Sequence, residues 1–544
     1  MRINLKIAFS ILSTSFMLTS VAYSAVIPVG TELADKQEIT INNGNEPTSI
    51  DPHKIEGYPE AEVVYQLFEG LVTKDEEGKA IPGIAESWKS SEDFKTWTFT
   101  LREGAKWSND EPVTSYDFEF SFRRLADPKT ASPYASYLEY LQIQNAKDVI
   151  AARKPVTELG VRAVDDRTLE FTLSSPIPYL VDMMTHFAVL PVNKSFVEKY
   201  SDDWVKQKDF PVNGAYALAD HVVNEKIVFV RNKKYWNDKE TVIEKATFLP
   251  IESANTDVLR YRAGDLQITN YQIPPEQFKT LKRELPNELR IVRMLGTYMY
   301  QINNSKSPLT DVRIRKALNL SLDRNILTDK VLAQGQTPTY VFTPPYITDG
   351  ELIKQPEYSK QDMASRNAEA VKLLNEAGYS KSNPLKLTVL YFTNDENKKI
   401  AVAVQSIWKK NTDGILDIKL QSQEWKTYLN TLREKKYDIA RAGWTADYNQ
   451  ASTFGSYFLS DSSNNTAFYM SEAYDSKFNE SYKSSTAKGR AEAYAAAEAQ
   501  LAEDYGTIPF FNRVNIRLVK PTVGGYTGKD PQDVLFLRNF YIKK

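Results

Sequence analysis

Asp447 sits near the end of the run Ala440-Arg441-Ala442-Gly443-Trp444-Thr445-Ala446-Asp447-Tyr448-Asn449, the stretch whose residue types come nearest to a binding chemistry. Tyr437, Ile439 and the small residues after Arg441 read as a strand, over Tyr437 to Ala442, that emerges into a loop. That loop holds one carboxylate among aromatics. An acid beside Trp444 and Tyr448 is poorly hydrated and favours a cationic partner. The plainer reading is an acid that caps the next helix or is satisfied by a nearby arginine. Most loop acids are structural, so spacing alone leans toward the plainer reading.

Other chemistry finds less support. The histidines His53, His186 and His221 are far apart, and none stands in a metal-ligand spacing; buried or capping roles are expected of them. The sequence has no Gly-x-Ser-x-Gly elbow and no cysteine, which removes a thiol nucleophile. Gly524-Gly525-Tyr526-Thr527-Gly528-Lys529-Asp530 has the wrong glycine spacing for a phosphate loop, and an acid where Ser or Thr would bind magnesium, so it reads as a turn. Carboxylates are plentiful, but nothing in their spacing specifies catalysis. No enzyme activity, cofactor or metal is expected.

The elements that must position Asp447 are legible. Leu385, Leu387, Val389 and Tyr391 alternate as a strand; Ile400, Val404, Ile407 and Trp408 recur at helical spacing up to Gly414. Leu416, Ile418 and Leu420 alternate again, and Trp425, Tyr428, Leu429 and Leu432 form a second helical stripe before the strand at Tyr437. A β-α-β-α-β order implies right-handed crossovers and a parallel sheet. Ligands gather beyond the carboxyl ends of such strands, where Asp447 falls. A helix through Ala368, Val371, Leu374 and Ala377 stops at Gly378, and an Ala-rich helix from Arg490 ends at Gly506.

Composition narrows the compartment and the partners. Arg2 and Lys6 precede a modest apolar run from Ile7 to Val21, and Ala22-Tyr23-Ser24 offers small residues for cleavage, so residues 1–24 read as a secretory leader. The run is too short and polar to span a bilayer. With no cysteine, disulfides and a lipid anchor on cysteine are not expected, and a periplasmic protein is the natural reading. Lys and Arg number 68 against 70 Asp and Glu; without Arg2 and Lys6 the balance is 66 against 70, which argues against a nucleic-acid partner. The 544 residues suit several domains. Tyrosine, at 31 residues, suits both core and an adaptable cleft, because it joins rigid apolar area to a polar tip.

Several segments carry a resemblance that covers nearly the whole chain. Asp51-Pro52-His53-Lys54-Ile55-Glu56-Gly57, Leu67-Phe68-Glu69-Gly70-Leu71, Asp127 to Tyr137, Asn213-Gly214-Ala215-Tyr216, Gln423 to Thr427 and Arg517 to Pro521 are similar, in order, to the periplasmic oligopeptide-binding proteins of ABC importers, family 5 extracellular solute-binding proteins. Gly83-Ile84-Ala85-Glu86-Ser87-Trp88, with Trp97-Thr98-Phe99 and Lys106-Trp107-Ser108, resembles the signature of the wider peptide- and nickel-binding superfamily; the Asp447 and Asp51 segments narrow it to oligopeptide binders. The resemblance implies an α/β, two-lobed periplasmic binding protein fold with an extra inserted domain. Residues 25–68, 195–294 and 514–544 would form one discontinuous domain, 69–194 a second inserted in it, and 295–513 the facing lobe. Crossings near 294 and 514 would be the hinge.

It also implies a function: capture of short peptides with broad sequence specificity and delivery to ABC permease subunits, by a protein expected to be a monomer. A murein-peptide carrier is the runner-up, a haem binder a weaker third, and a secreted peptidase last. Asp447 would pair with the peptide ammonium. Gly443, Trp444, Thr445 and Ala446 on one side, and Glu56, Gly57 and Tyr58 on the other, would hold the peptide as an added strand. Tyr134, Tyr271, Trp425, Leu429 and Trp444 would line hydrated side-chain pockets. The chain departs from its relatives at the peptide carboxylate. Leu332, Asn397 and Leu432 stand where the family has a Lys, a His and an Arg, while Arg441 is kept, Arg433 lies one residue beyond Leu432, and Arg513 stands where an aromatic residue is usual. Arg441 is therefore expected to serve the shortest cargo, and Arg433 or Arg513 longer ones.

Overall fold

The computed structural model describes residues 25–462 and 464–544; the expected leader 1–24 lies outside the described residues, as do the side chains of Trp425 and Lys426. Three sheets organise the chain. In the first, Glu38–Asn42 runs parallel to Lys245–Leu249, which pairs antiparallel with Lys226–Arg231 and, through it, Tyr216–Val222. The second is an antiparallel sheet in the order Ala85–Ser90, Thr96–Leu101, Thr168–Thr172, Val161–Asp165. Its strand Thr96–Leu101 shows the two-residue period plainly: Trp97, Phe99 and Leu101 are buried, while the alternating threonines are only partly covered. Both sheets share one apolar core, into which Trp107 and Trp204 are wholly sunk.

The third sheet has six strands, in the order Thr337–Pro338, Thr507–Leu518, Leu289–Ile302, Ile439–Thr445, Leu385–Phe392, Leu416–Gln423. The expected β-α-β-α-β unit is present. Leu385–Phe392 runs parallel to both Leu416–Gln423 and Ile439–Thr445, with helices Asp395–Asn411 and Trp425–Arg433 as the crossovers. Helix Asp395–Asn411 starts where Asn394 accepts from the N–H groups of Glu396 and Asn397, and it buries Ile400, Val404, Ile407 and Trp408. The other two expected helices are Met363–Glu376 and Ala487–Glu503.

The last strand of the unit differs from expectation. It runs from Ile439 to Thr445 rather than ending at Ala442, because Gly443–Thr445 go on pairing antiparallel with Gly296–Tyr298. Tertiary pairing here overrides the local turn character of glycine.

Two long strands, Leu289–Ile302 and Thr507–Leu518, pair along most of their length. The end of this ribbon at Leu289, Ile516 and Leu518 packs on Val258, Tyr261, Phe278 and Leu281; the other end enters the core of the six-stranded sheet through Tyr298, Tyr300, Phe510 and Phe511. The register breaks between. Arg293 faces Val514 and Thr297 faces Asn512, so Met294, Leu295 and Gly296 stand opposite the single residue Arg513. A bulge of this kind bends the ribbon and twists it locally. Positions 294 and 514 lie at this break.

Candidate functional site

The strand Ile439–Thr445 has one edge that is mostly free. Leu385–Phe392 pairs with it only at Ile439 and Ala440, leaving Arg441–Thr445 with no strand partner on that side among the described residues. Alternation fixes which groups point there. Ala446 N–H bonds Leu295 C=O at 2.8 Å, toward the long strand, whereas the Arg441 carbonyl accepts from the Tyr428 hydroxyl on the other side. Gly443 and Thr445 therefore turn their N–H and C=O groups to the free edge. An open edge inside a cleft is a template for an added strand.

That edge leads into a cleft enclosing about 890 Å³ of space, open solvent at its mouth included, with Thr445, Ala446, Asp447, Tyr134, His186 and Phe187 on one side. The Asp447 side chain is 11 % exposed. Thr453 Oγ1 takes the Asp447 N–H at 3.3 Å and the Trp444 indole N–H at 3.1 Å, which pins the loop and leaves the carboxylate out of helix capping. His186 Nε2 lies 3.6 Å from Asp447 Oδ1. His186 Nδ1 accepts the Ala188 N–H at 3.2 Å, which turns Nε2 toward the acid. The imidazole stacks on Tyr137 at 4.5 Å and lies 5.0 Å from the ring of Tyr134. Burial first, and the Asp447 charge second, push the Tyr134 phenol well up.

Behind this loop lies a buried cation. Lys74 donates to Gln532 Oε1 at 2.5 Å, and Gln532 Nε2 donates to the Ala446 carbonyl at 2.6 Å. Burial pushes the Lys74 ammonium down, and Asp530, Asp447 and Asp182 push it back up. The loop bearing Asp447 is thus braced through Gln532, which itself lines the cleft.

The facing wall is Glu56, Gly57, Tyr58, Glu62 and Tyr271. Tyr58 donates to the Asp533 carbonyl at 2.5 Å, receives an Arg517 N–H at 3.1 Å, and meets Tyr271 edge-on at 5.1 Å. Glu62 is buried beneath them. Both its oxygens face the Leu535 N–H, at 3.3 and 3.2 Å, and burial lifts its carboxyl to about 8 against the pull of Arg517.

The basic residues fall in different places. Arg513, at the bulge, lines the cleft. Burial first, then the charge of Arg441, pushes its guanidinium down, while Tyr271 and Glu396 oppose them. Arg441 lies over the rings of Tyr298 at 4.6 Å and Phe392 at 4.9 Å, and its buried Nε has no hydrogen-bond partner. Neither arginine forms a salt bridge with an acid among the described residues. Arg433 is exposed at the end of its helix, away from the cleft lining. Asn397 is buried with its amide in use: Oδ1 accepts from Tyr298 and Nδ2 donates to the Phe392 carbonyl, so it stands behind Arg441 and supports it. Leu429 is half-buried against Leu390, Tyr428 and Leu432, and Trp444 packs on Tyr457; neither lines the main cleft.

His186, Lys74, Gln532 and Glu62 are the members that residue spacing did not disclose. They lie 85 to 385 positions from Asp447, counted along the sequence. The other recognisable segments build the frame. Arg124 forks onto Asp51 at 2.9 and 2.6 Å, and Trp204 donates to the same carboxylate. Glu69 accepts from Tyr235 and Trp236, each at 2.5 Å, and Asn213 clasps its backbone. His53 accepts from Arg124 and faces the Leu190 carbonyl, so burial and Arg124 drive it down to about 3. Among the described residues no group of His, Asp and Glu is arranged to hold a metal.

Two lobes enclosing a cleft at a strand crossing define a binding protein. The profile of the bacterial extracellular solute-binding proteins, family 5 Middle, matches residues 79–466, and the chain belongs to that family. It is 60 % identical to the periplasmic oligopeptide-binding protein OppA of Haemophilus influenzae over 99 % of both chains. The crystal structure of that OppA in complex with RPPGFSPFR superposes with a TM-score of 0.88 at 61 % identity, covering 94 % of this chain and all of that one. The murein tripeptide-binding protein MppA of Escherichia coli is 42 % identical and gives 0.87, over 94 % of this chain and all of that one. Its unliganded open form gives 0.76 at 41 % identity, over 95 % and 99 % of the two chains. Contacts also join the segment around Tyr140 to the one around Asp461. Asn464 donates to the Tyr140 hydroxyl at 2.9 Å, and Lys147 pairs with Asp461 at 3.0 Å.

Proposed function

We propose that this protein captures short peptides in the periplasm, with broad sequence specificity, and delivers them to the membrane subunits of an ABC oligopeptide importer. The observation that carries this reading is the unpaired edge at Gly443 and Thr445, which runs directly to the Asp447 carboxylate. An edge of backbone donors and acceptors is blind to side chains, and an acid at its end reads an ammonium that every unmodified peptide has. The relatives named above support the cargo class. Glu56–Tyr58 would supply the second edge.

The peptide carboxylate would go to Arg441 for the shortest cargo and to Arg513 for longer cargo, since Arg433 faces solvent. At about 3.3 Å per residue, the six steps from Arg441 to Asp447 span ~20 Å, part of which the two side chains cover, leaving room for a few extended residues. The three sheets would be three domains, with the bulge at Met294–Gly296 and Arg513 as the flexing point of closure. Calorimetry with unmodified Ala peptides, followed by mass spectrometry of what is released, tests the reading. Binding with release of intact peptide is expected. No binding at any length, or release of fragments, would sink it.

A further inference from the structure

Lys74 braces the Asp447 loop in a way that an apolar side chain would not. It is buried, forms no ion pair among the described residues, and its ammonium makes one hydrogen bond there, to Gln532 Oε1 at 2.5 Å. A methionine would fill the same wall without the cost of burying a charge. What a lysine adds is polarity of a single kind, because an ammonium has three donors and no acceptor. The Gln532 amide is thereby held one way round. With Oε1 on the ammonium, Nε2 donates to the Ala446 carbonyl at 2.6 Å. Turned over, the amide would set donor against donor at Lys74 and acceptor against acceptor at Ala446.

The Ala446 carbonyl belongs to the peptide unit that leads into Asp447. The N–H of that same unit donates to Thr453 Oγ1 at 3.3 Å, so the peptide plane is clamped at both edges. Gln532 is itself fixed: its N–H donates to Asp530 Oδ1 at 2.9 Å, and its neighbours Asp533 and Leu535 are tied to Tyr58 and Glu62 on the facing wall. Gln532, Ala446 and Asp447 all line the cleft. We infer that Gln532, locked in one orientation by Lys74, is a positioning residue for Asp447: it fixes the peptide plane from which the carboxylate projects, and so sets how well the site tells a free peptide ammonium from a blocked one. A carboxylate held in place beforehand has no ordering cost left to meet when the ammonium arrives. The inference rests on the reading of Asp447 as the ammonium partner.

Lys74 acts on that ammonium in two opposed ways, and the sign of its removal separates them. As a buried charge within reach of Asp447 it repels the ammonium, so its loss would raise the preference for a free peptide. As the lock on Gln532, its loss frees the amide to turn over and loosens the plane, which lowers that preference. The test is calorimetry of Ala-Ala-Ala and its N-acetyl form on wild type, Lys74→Met and the double variant Lys74→Met/Gln532→Met, with melting followed by circular dichroism to report folding. Wild type is expected to favour the free peptide about thirtyfold or more. In Lys74→Met the ratio is expected to fall at least about fivefold, and the double variant, which leaves neither polar partner buried alone, to show the same fall. A ratio unchanged or raised in folded Lys74→Met overturns the inference, and a lowered melting temperature with the ratio intact does the same, since that is what a brace of the fold alone would give. Should Lys74→Met not fold, the double variant decides by the same criterion. Equal affinity of wild type for the two peptides is a failure of the ammonium reading itself, and the inference falls with it.

Discussion

Replacing Asp447 by Asn removes one charge and almost no volume. The loop should survive the change, because Thr453 holds it through the Asp447 backbone and the Trp444 indole, neither of which depends on the carboxylate. Losing one partner of a desolvated, hydrogen-bonded ion pair costs roughly 2–5 kcal/mol. Two features place this site toward the lower end. The carboxylate keeps 11 % of its exposure, and Lys74 behind the loop repels an incoming ammonium and so weakens the pair that Asp447 makes. At about 1.4 kcal/mol per factor of ten, a loss near 2 kcal/mol is about thirtyfold in Kd. The assay is a thermodynamic cycle by calorimetry: Ala-Ala-Ala and its N-acetyl form, each on wild type and Asp447→Asn. Wild type should bind the free peptide about thirtyfold or more tightly than the acetylated one, and the variant should treat them within a few-fold of each other. Equal affinity of wild type for the two peptides would refute the reasoning outright. A ratio undiminished in Asp447→Asn would place the ammonium elsewhere, with Glu56 the next acid on the cleft wall.

Four further outcomes are expected. Arg441→Gln should weaken the shortest Ala peptides by tenfold or more in a calorimetric length series and spare longer ones; a uniform effect, or none, would remove it as a length-specific ligand. Peptides N-methylated at successive backbone positions should lose affinity at alternate positions, those facing Gly443 and Thr445, and undiminished binding throughout would count against the added strand. Small-angle scattering should report a smaller radius of gyration with saturating peptide than without, and no change would defeat closure at the bulge. His53, held to about 3 in the folded protein, stays neutral in acid while the unfolded chain takes up a proton near its ordinary value of 6.5. Stability from this residue is thus complete above pH 6.5 and falls as pH drops toward 3, by at most about 1.4 kcal/mol per pH unit. Melting curves of His53→Gln should show a shallower acid slope than wild type; an unchanged slope would refute the assignment.

Much of this was legible in the sequence, for identifiable reasons. The β-α-β-α-β unit could be read because its apolar residues follow two clean periods, and position at the carboxyl ends of its strands placed Asp447 in a cleft. The extent of its last strand was not legible. Gly443 looks like a turn residue until Thr297 and Tyr298 are seen beside it, and only long-range pairing supplies them. His186 and Gln532 were hidden for the same reason: each touches the Asp447 loop from a remote segment, with no local pattern to mark it. Arg433 and Arg513 looked equivalent in sequence. Orientation at the end of one helix sends the first to solvent, and a bulge turns the second inward.

The residues that make the chain recognisable are mostly not those that would touch a peptide. Asp51, Glu69 and Asn213 are buried in closed hydrogen-bond networks, where removing one partner leaves another unsatisfied at a cost of about 1–3 kcal/mol. Such positions tolerate little change, and they carry the family resemblance. The cleft is built on the opposite plan: one free backbone edge, one acid at its end, and guanidinium groups that form no ion pair with an acid among the described residues. A site that reads only what all peptides share can vary at its basic end without loss of the frame. Arg513, at the bulge between two half-strands, lines the cleft from the point that both halves of the ribbon share.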